Sequence, residues 1–243
     1  MGMKPMRRLA AFLVCLLFLF HTGLAMAVEP GYIVYHGDQS RMRIAITVDD
    51  CYDMNNLCAV LELCQTYDVP VTFFVVGLAL HEEDRDVWQQ VLDAGCEIGN
   101  HTFGHASLIK CDNRQIIYQL QRTQQQLDAV LGYHYPMQMM RPPYGNTQRS
   151  NGTSVSAAIE KAGYARVVLW DVSQTDPAIA QRQVKNGSIL LYHTNWKDVQ
   201  CLKVLIPALL DAGYELCTVS DLLDYEPVAT ATDLYVYHYE DYE

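Results

Sequence analysis

MRIAITVDDCYDMNNLCAVLELCQTY, residues 42–67, is the stretch that decides the fold. A short β-branched and apolar run over 44–48 ends in two aspartates, and a segment of helical period follows over 54–67. The same phrase recurs down the chain. Strand-like runs lie near 71–76, 97–99, 137–140, 166–170, 189–192 and 215–219, and helical patterns lie near 83–94, 112–131, 152–162, 177–184 and 197–212. Several helical patterns stop at a glycine suited to the position after a helix end, namely Gly95, Gly132, Gly163 and Gly213. Alternation of this kind predicts a βα-repeat architecture with seven strands. Similarity between units is too weak to make a sequence repeat.

Composition agrees with one globular domain. The chain has 243 residues, half of them apolar and 19% charged, with 14 Gly and 9 Pro, which excludes disorder, collagen and coiled coil. A chain this long buries roughly 70% of its unfolded surface, so its core needs no metal, and any metal serves chemistry. The formal charge is −11, and no Lys/Arg cluster lies beyond the N-terminus, so nucleic acid is excluded as a partner.

Lys4, Arg7 and Arg8 precede an apolar run over 9–20, and Ala25, Met26 and Ala27 follow it. This is the pattern of a secretory signal peptide over 1–27. An uncleaved anchor is the alternative, but 12 continuous apolar residues fall short of the ~20 that span a bilayer. The mature chain is expected outside the cell, without a membrane span and as a monomer. Losing three basic and no acidic residues leaves 14 against 28, a charge of −14. Seven cysteines remain, most of them in apolar runs where a small buried thiol is expected; pairing among some of them is left open. Residues 28–41 read as an N-terminal extension, 42–223 as the domain, and 224–243 as a loosely attached acidic, Tyr-rich tail.

Polar residues collect where strands end. Asp49 and Asp50 follow the first strand, His101 and His105 the third, Arg141-Pro-Pro-Tyr-Gly145 the fourth, Asp171 and Ser173 the fifth, and His193 the sixth. Groups at the C-terminal ends of several strands of a βα barrel share one rim, where such folds keep their active sites. Two imidazoles and one carboxylate around a divalent ion leave positions open for water and substrate. One aspartate of the pair can ligate while its neighbour acts as base. Arg141 can hold a carboxylate ionised, and Tyr144 supplies the first backbone N–H after two prolines, suited to an oxyanion.

Together these motifs resemble the polysaccharide deacetylases with the NodB-homology domain, carbohydrate esterase family four, over about 42–223. TVDD stands for the family's TFDD, NHTFGH for its H-[ST]-x-x-H, RPPYG is intact, and LLYH stands for its leucine-rich histidine motif. The resemblance implies a distorted (β/α)7 barrel and an acetylated polysaccharide as substrate. It implies Asp49 as general base, Asp50, His101 and His105 as ligands of a divalent metal, zinc first, Arg141 tuning the base, Tyr144 N–H on the oxyanion, and His193 as general acid. Tyr144 and Trp170 border the expected sugar groove.

The chain departs from the family at Trp170-Asp-Val-Ser-Gln-Thr-Asp-Pro177, where the family has W-x-V-D-x-x-D-W. The Asp expected to orient the general acid is Ser173, the second Trp is Pro177, and the Gly after the Asp pair is Cys51. Asp171 and Asp176 are the replacements to examine, each divided between a site role and a cap or turn role. If neither serves, His193 holds its proton less well. The expected function is deacetylation of N-acetylglucosamine in peptidoglycan. Chitin oligomers or acetylxylan are the alternatives, as is a catalytically weak protein of the same fold that binds wall glycan.

Overall fold

The structure, a computed structural model, describes residues 32–225. The signal segment, the start of the extension and the tail after Tyr225 lie outside the described residues. In chain order the strands are β1 (Tyr32–Val34), β2 (Arg43–Asp50), β3 (Thr72–Val75), β4 (Glu97–Asn100), β5 (Arg166–Val168), β6 (Ile189–His193) and β7 (Glu215–Leu216). Their ladders are parallel, in the order β4-β3-β2-β6, with β7 on β2 and β1 on β5. Single bridges from Asn100 to Met140, Met140 to Val167 and Val172 to Leu190 carry the circuit from β4 past β5 and back to β6. The fold is α/β, one domain, a distorted barrel.

The helices α1 (Met54–Tyr67), α2 (Arg85–Asp93), α3 (Asn113–Leu131), α4 (Ser156–Lys161), α5 (Pro177–Gln183) and α6 (Trp196–Asp211) lie where the periodicity puts them, within a few residues at each end. Their starts are made by side chains. The Asp53 carboxylate accepts from Asn56 N at 3.0 Å to begin α1, and Asp112 and Gln115 form a reciprocal capping box on α3. α7 (Val219–Leu222) is an addition. Thr218 caps it, and this cuts the strand read over 215–219 down to two residues.

Two other expectations change. The strand over 137–140 survives as bridges at Met140, since Pro136, Pro142 and Pro143 crowd it and offer no ladder donors. Of the segment read as an N-terminal extension, the described residues from Tyr32 onward pack on the domain: β1 pairs with β5 and His36 bridges Ser188. At its far end it includes Asp224, which pairs with Arg41. No helix among the described residues is long and apolar enough to cross a membrane, and the seven described cysteines are free thiols.

Strand alternation divides the core in two. Ile44, Ile46 and Val48 of β2 pack with Phe73, Val75, Ile98 and Leu190 under the helices. Ala45, Phe74, Val168 and Ile189 form a second, smaller cluster with Val34 and Met139 inside the barrel. The same alternation sets Thr47, Asp49, His101, Arg141 and His193 on the interior parity near the strand ends. At the other end Glu97 accepts from Thr72 Oγ1 at 2.9 Å and from Ser220, tying α7 across the barrel floor.

Gly99 shows how little room the interior has: a Cβ there would lie 2.7 Å from the Phe74 ring. Gly99→Ala is expected to destabilise by about 1–3 kcal/mol through this overpacking. Urea unfolding checks it, and an unchanged midpoint would contradict the packing described.

Candidate metal centre and active site

Asp49 and Asp50 are neighbours on one strand, so alternation alone would send them to opposite faces. The backbone prevents this. Asp50 adopts φ 73° and Cys51 φ 67°, and the turn brings both carboxylates to one imidazole. His101 Nε2 lies 3.7 Å from Asp49 Oδ2 and 3.5 Å from Asp50 Oδ1, and His105 Nε2 lies 3.3 Å from Asp50 Oδ1.

The tautomer of His101 follows from its other nitrogen. Nδ1 is 2.7 Å from the Arg141 carbonyl, which only accepts, so Nδ1 carries a proton and the neutral ring offers a lone pair at Nε2. Burial holds the ring toward its neutral form, lowering its pKa against the pull of Asp49 and Asp50. Asp50 Oδ1 is buried without a hydrogen-bond partner. Lone pairs on Asp50, His101 and His105, all within 4.8 Å of one another, therefore face inward together. A divalent cation satisfies them, and this donor set suits zinc or a similar metal. A carbonyl acceptor on the far side of a ligating histidine is the usual support for such a site.

The loop carrying the two histidines is braced before any ligand arrives. Thr102 N donates to Asn100 Oδ1 and Gly104 N to Gln119 Oε1, both at 2.8 Å, while Gly77 N donates to Thr102 O at 3.0 Å.

Asp49 is held from the other side. The Arg141 guanidinium is fully buried and donates through Nη1 to Asp49 Oδ1 at 2.7 Å and Thr47 Oγ1 at 2.6 Å, with Nε and Nη2 on the Val168 and Leu169 carbonyls. It stacks on Phe74 at 4.2 Å and on Trp170 at 5.5 Å. Trp170, expected beside the sugar, is partly buried and braces both Arg141 and the turn at Gly145, where a Cβ would meet its ring at 3.0 Å. Tyr144 occupies that turn at φ 64°, closed by Gly145 N donating to Pro142 O at 3.0 Å. Its side chain is 64% exposed, with the ring edge-on to His105 at 4.9 Å.

His193 is the register partner of Asp49 across the β2–β6 ladder. Neither expected replacement for the carboxylate at position 173 reaches it. Asp171 accepts from Ser188 Oγ and Ile189 N, both at 2.9 Å, at the opposite end of β6, and Asp176 caps α5 through Ala178 N and Ile179 N. Ser173 is exposed. The acid beside His193 is Asp198 in the first turn of α6, whose Oδ2 lies 3.3 Å from His193 Nδ1. The Asp198 hydrogen bond pushes the His193 pKa up, against burial and with help from Asp49 and Asp50. The expectation of a poorly held proton is therefore corrected. A readable signal existed in Asn195-Trp-Lys-Asp198, a cap-and-third-residue pattern directly after the strand that ends in His193. Cys51 is buried, and burial first, then Asp49 and Asp50, push its thiol pKa well up, which favours the unreactive protonated form.

Comparisons with known proteins place the chain in a family. A family model described as polysaccharide deacetylase matches residues 36–167. A peptidoglycan-N-acetylglucosamine deacetylase of Bacillus cereus is 31% identical over 223 residues, covering 84% of this chain and 99% of that protein. An uncharacterized protein of Bacillus subtilis is 26% identical over 200 residues, 79% of this chain, and the chain spans only 60% of that relative's length. Among solved structures, a CE4 family pseudoenzyme from Bacillus anthracis aligns with TM-score 0.69 at 23% identity, over 80% of this chain and 70% of that one; this likeness is one of fold.

His105→Ala tests the metal centre better than His101→Ala, because His105 is half-buried and bears no backbone bond comparable to that of His101 on Arg141. With zinc at 100 times its Kd, the wild type is expected to gain about 2.7 kcal/mol of stability. His105→Ala should gain far less at the same zinc concentration. Thermal unfolding with and without zinc checks this, and an equal shift in both proteins would remove His105 from the ligand set.

Proposed function

Because the chain belongs to the polysaccharide deacetylase family, we propose that it is a metal-dependent hydrolase removing N-acetyl groups from an exported polysaccharide, with N-acetylglucosamine of peptidoglycan as the foremost substrate. Export through the leader at 1–27 belongs to the same proposal. The observation that carries it is the convergence of three lone-pair donors, Asp50, His101 and His105, beside an aspartate held by a buried arginine.

A divalent cation bound there supplies Lewis acidity toward the acetyl carbonyl and lowers the pKa of a water. The residues supply the rest. Asp49 has one oxygen fixed by Arg141, and Oδ2 remains to take the proton of the attacking water. The water oxygen bonds to the acetyl carbon, and the Tyr144 N–H stabilises the negative charge that develops on the carbonyl oxygen. When the C–N bond breaks, its electron pair stays with nitrogen, which takes a proton from His193 Nε2. Acetate and a free amine result. Trp170 contributes by holding Arg141 and the Tyr144 turn in place.

The altered segment from Trp170 to Pro177 favours a second reading, a protein of this fold that binds wall glycan without turning it over. Acetate release over a panel of peptidoglycan, chitin oligomers and acetylxylan separates the readings. Release that stops with a chelator and returns with zinc is expected from the first. Glycan binding with no release from any substrate would establish the second.

Asp49→Asn is expected to keep zinc at wild-type stoichiometry and to lower kcat by about 10² or more. Metal analysis beside the rate checks the division of labour between the two aspartates. Loss of metal equal to that of Asp50→Asn would mean that their roles have been wrongly assigned.

A further inference from the structure

The residue after the start of α6 that touches His193 does more than begin a helix. In a capping box the third helical residue reaches back to the N–H of the capping residue, as Gln115 does to Asp112 on α3. α6 is built differently. Asn195 caps it, accepting from Asp198 N at 3.0 Å, but Asn195 N donates to His193 O at 2.8 Å and leaves the Asp198 carboxylate to reach further. Asp198 Oδ2 accepts from His193 N at 2.7 Å and from Asn195 Nδ2 at 2.9 Å, and lies 3.3 Å from His193 Nδ1. One oxygen thus grips the backbone and the ring of the same residue. The Asp198 side chain is 5% exposed, so water does not stand in for these partners.

We propose that Asp198 is the positioning residue for the general acid, supplying from α6 the carboxylate that position 173 lacks. This rests on the reading of His193 as general acid above. An ionised carboxylate only accepts, so the nitrogen facing it carries a proton in both charge states of the ring. Nδ1–H is thereby fixed, and Nε2 becomes the nitrogen that gains and gives up the transferable proton. The grip on His193 N ties the ring's orientation to the end of β6. The ionisable groups acting on His193 are Asp198 from α6 and Asp49 and Asp50 from β2, all favouring its charged form against burial. Removing Asp198's charge leaves the other two in place, so its share can be read separately.

Asp198→Asn is the test, because an amide oxygen still accepts from His193 N and Asn195 Nδ2 while the charge is lost. Ring signals of His193, assigned with His193→Gln, are followed by NMR from pH 5 to 9 in metal-free full-length protein. The expected result is a pKa lower by about one unit in Asp198→Asn, with the melting temperature near that of the wild type. In acetate release with zinc, kcat should fall about tenfold at unchanged KM and metal content, and the basic limb of its pH profile should start at lower pH. A His193 titration that stays where it was in Asp198→Asn, whatever the melting temperature, would mean that the carboxylate only helps to hold the start of α6; that result overturns the proposal. If the wild type releases no acetate from any glycan, the deacetylase reading fails instead, and the NMR titration still decides the role of Asp198.

Discussion

Arg141 is fully buried, and every part of its guanidinium is engaged: Asp49 and Thr47 of β2 on one nitrogen, the carbonyls of Val168 and Leu169 on the others, Phe74 and Trp170 against its faces. A charge taken this far out of water is tolerated only with an opposite charge and a full set of acceptors. Removing one partner of such a pair typically costs about 3–5 kcal/mol, because the other is left buried and alone. The arginine therefore fixes the distance between β2, β3 and β5 at the rim. Its own carbonyl extends the constraint to the metal centre, since it takes the Nδ1–H of His101. A general base and a metal ligand are thus oriented by two ends of one residue.

The rim carries a backbone cost. Among the described residues, the non-glycine residues with positive φ are Asp50, Cys51, Thr102, His105 and Tyr144, together with Asp68 and Asp224 elsewhere. Five of the seven lie in the motif turns of the site, and each such conformation costs on the order of 1–3 kcal/mol. The reason is geometric. Parallel strands deliver side chains along diverging lines, and a metal needs its ligands to converge, so the chain must turn sharply within one or two residues of each strand end. The hydrogen bonds from Thr102, Gly104 and Gly77, and the packing of Trp170 on Gly145, hold those turns against the strain.

This division explains what could be read from the sequence. The amphipathic helices and the long strands over 44–48, 71–76 and 189–192 were legible because burial on one face or two leaves a period that propensity does not blur. β1 was not, since three residues carry no period and become a strand only by pairing with β5, more than 130 residues away. The run over 137–140 had strand composition but too many prolines beside it to build a ladder. At the site, the residues placed together were those in fixed local motifs. Asp198 escaped because its function depends on which N–H its carboxylate selects at a helix start, a choice made by the path of the chain from His193 to Asn195. Asp171 and Asp176 drew attention by type, and their carboxylates are taken up by the start of β6 and the cap of α5.

Three carboxylates share this rim, and their neighbours alone give them different capacities. Asp49 has a guanidinium on one oxygen and so keeps the other for a proton; Asp50 faces two imidazole nitrogens and has an orphaned oxygen for a cation; Asp198 turns Oδ2 to the N–H groups and ring of its own neighbourhood and orients His193 instead. The excess of acid fits the proposed reaction. An N-acetyl sugar is neutral and is not repelled from a negative rim, whereas acetate is an anion and is. In a chain of net charge −11, the field that leaves substrate entry untouched therefore favours departure of one product, opposed at short range by the Arg141 guanidinium, a protonated His193 and a bound cation.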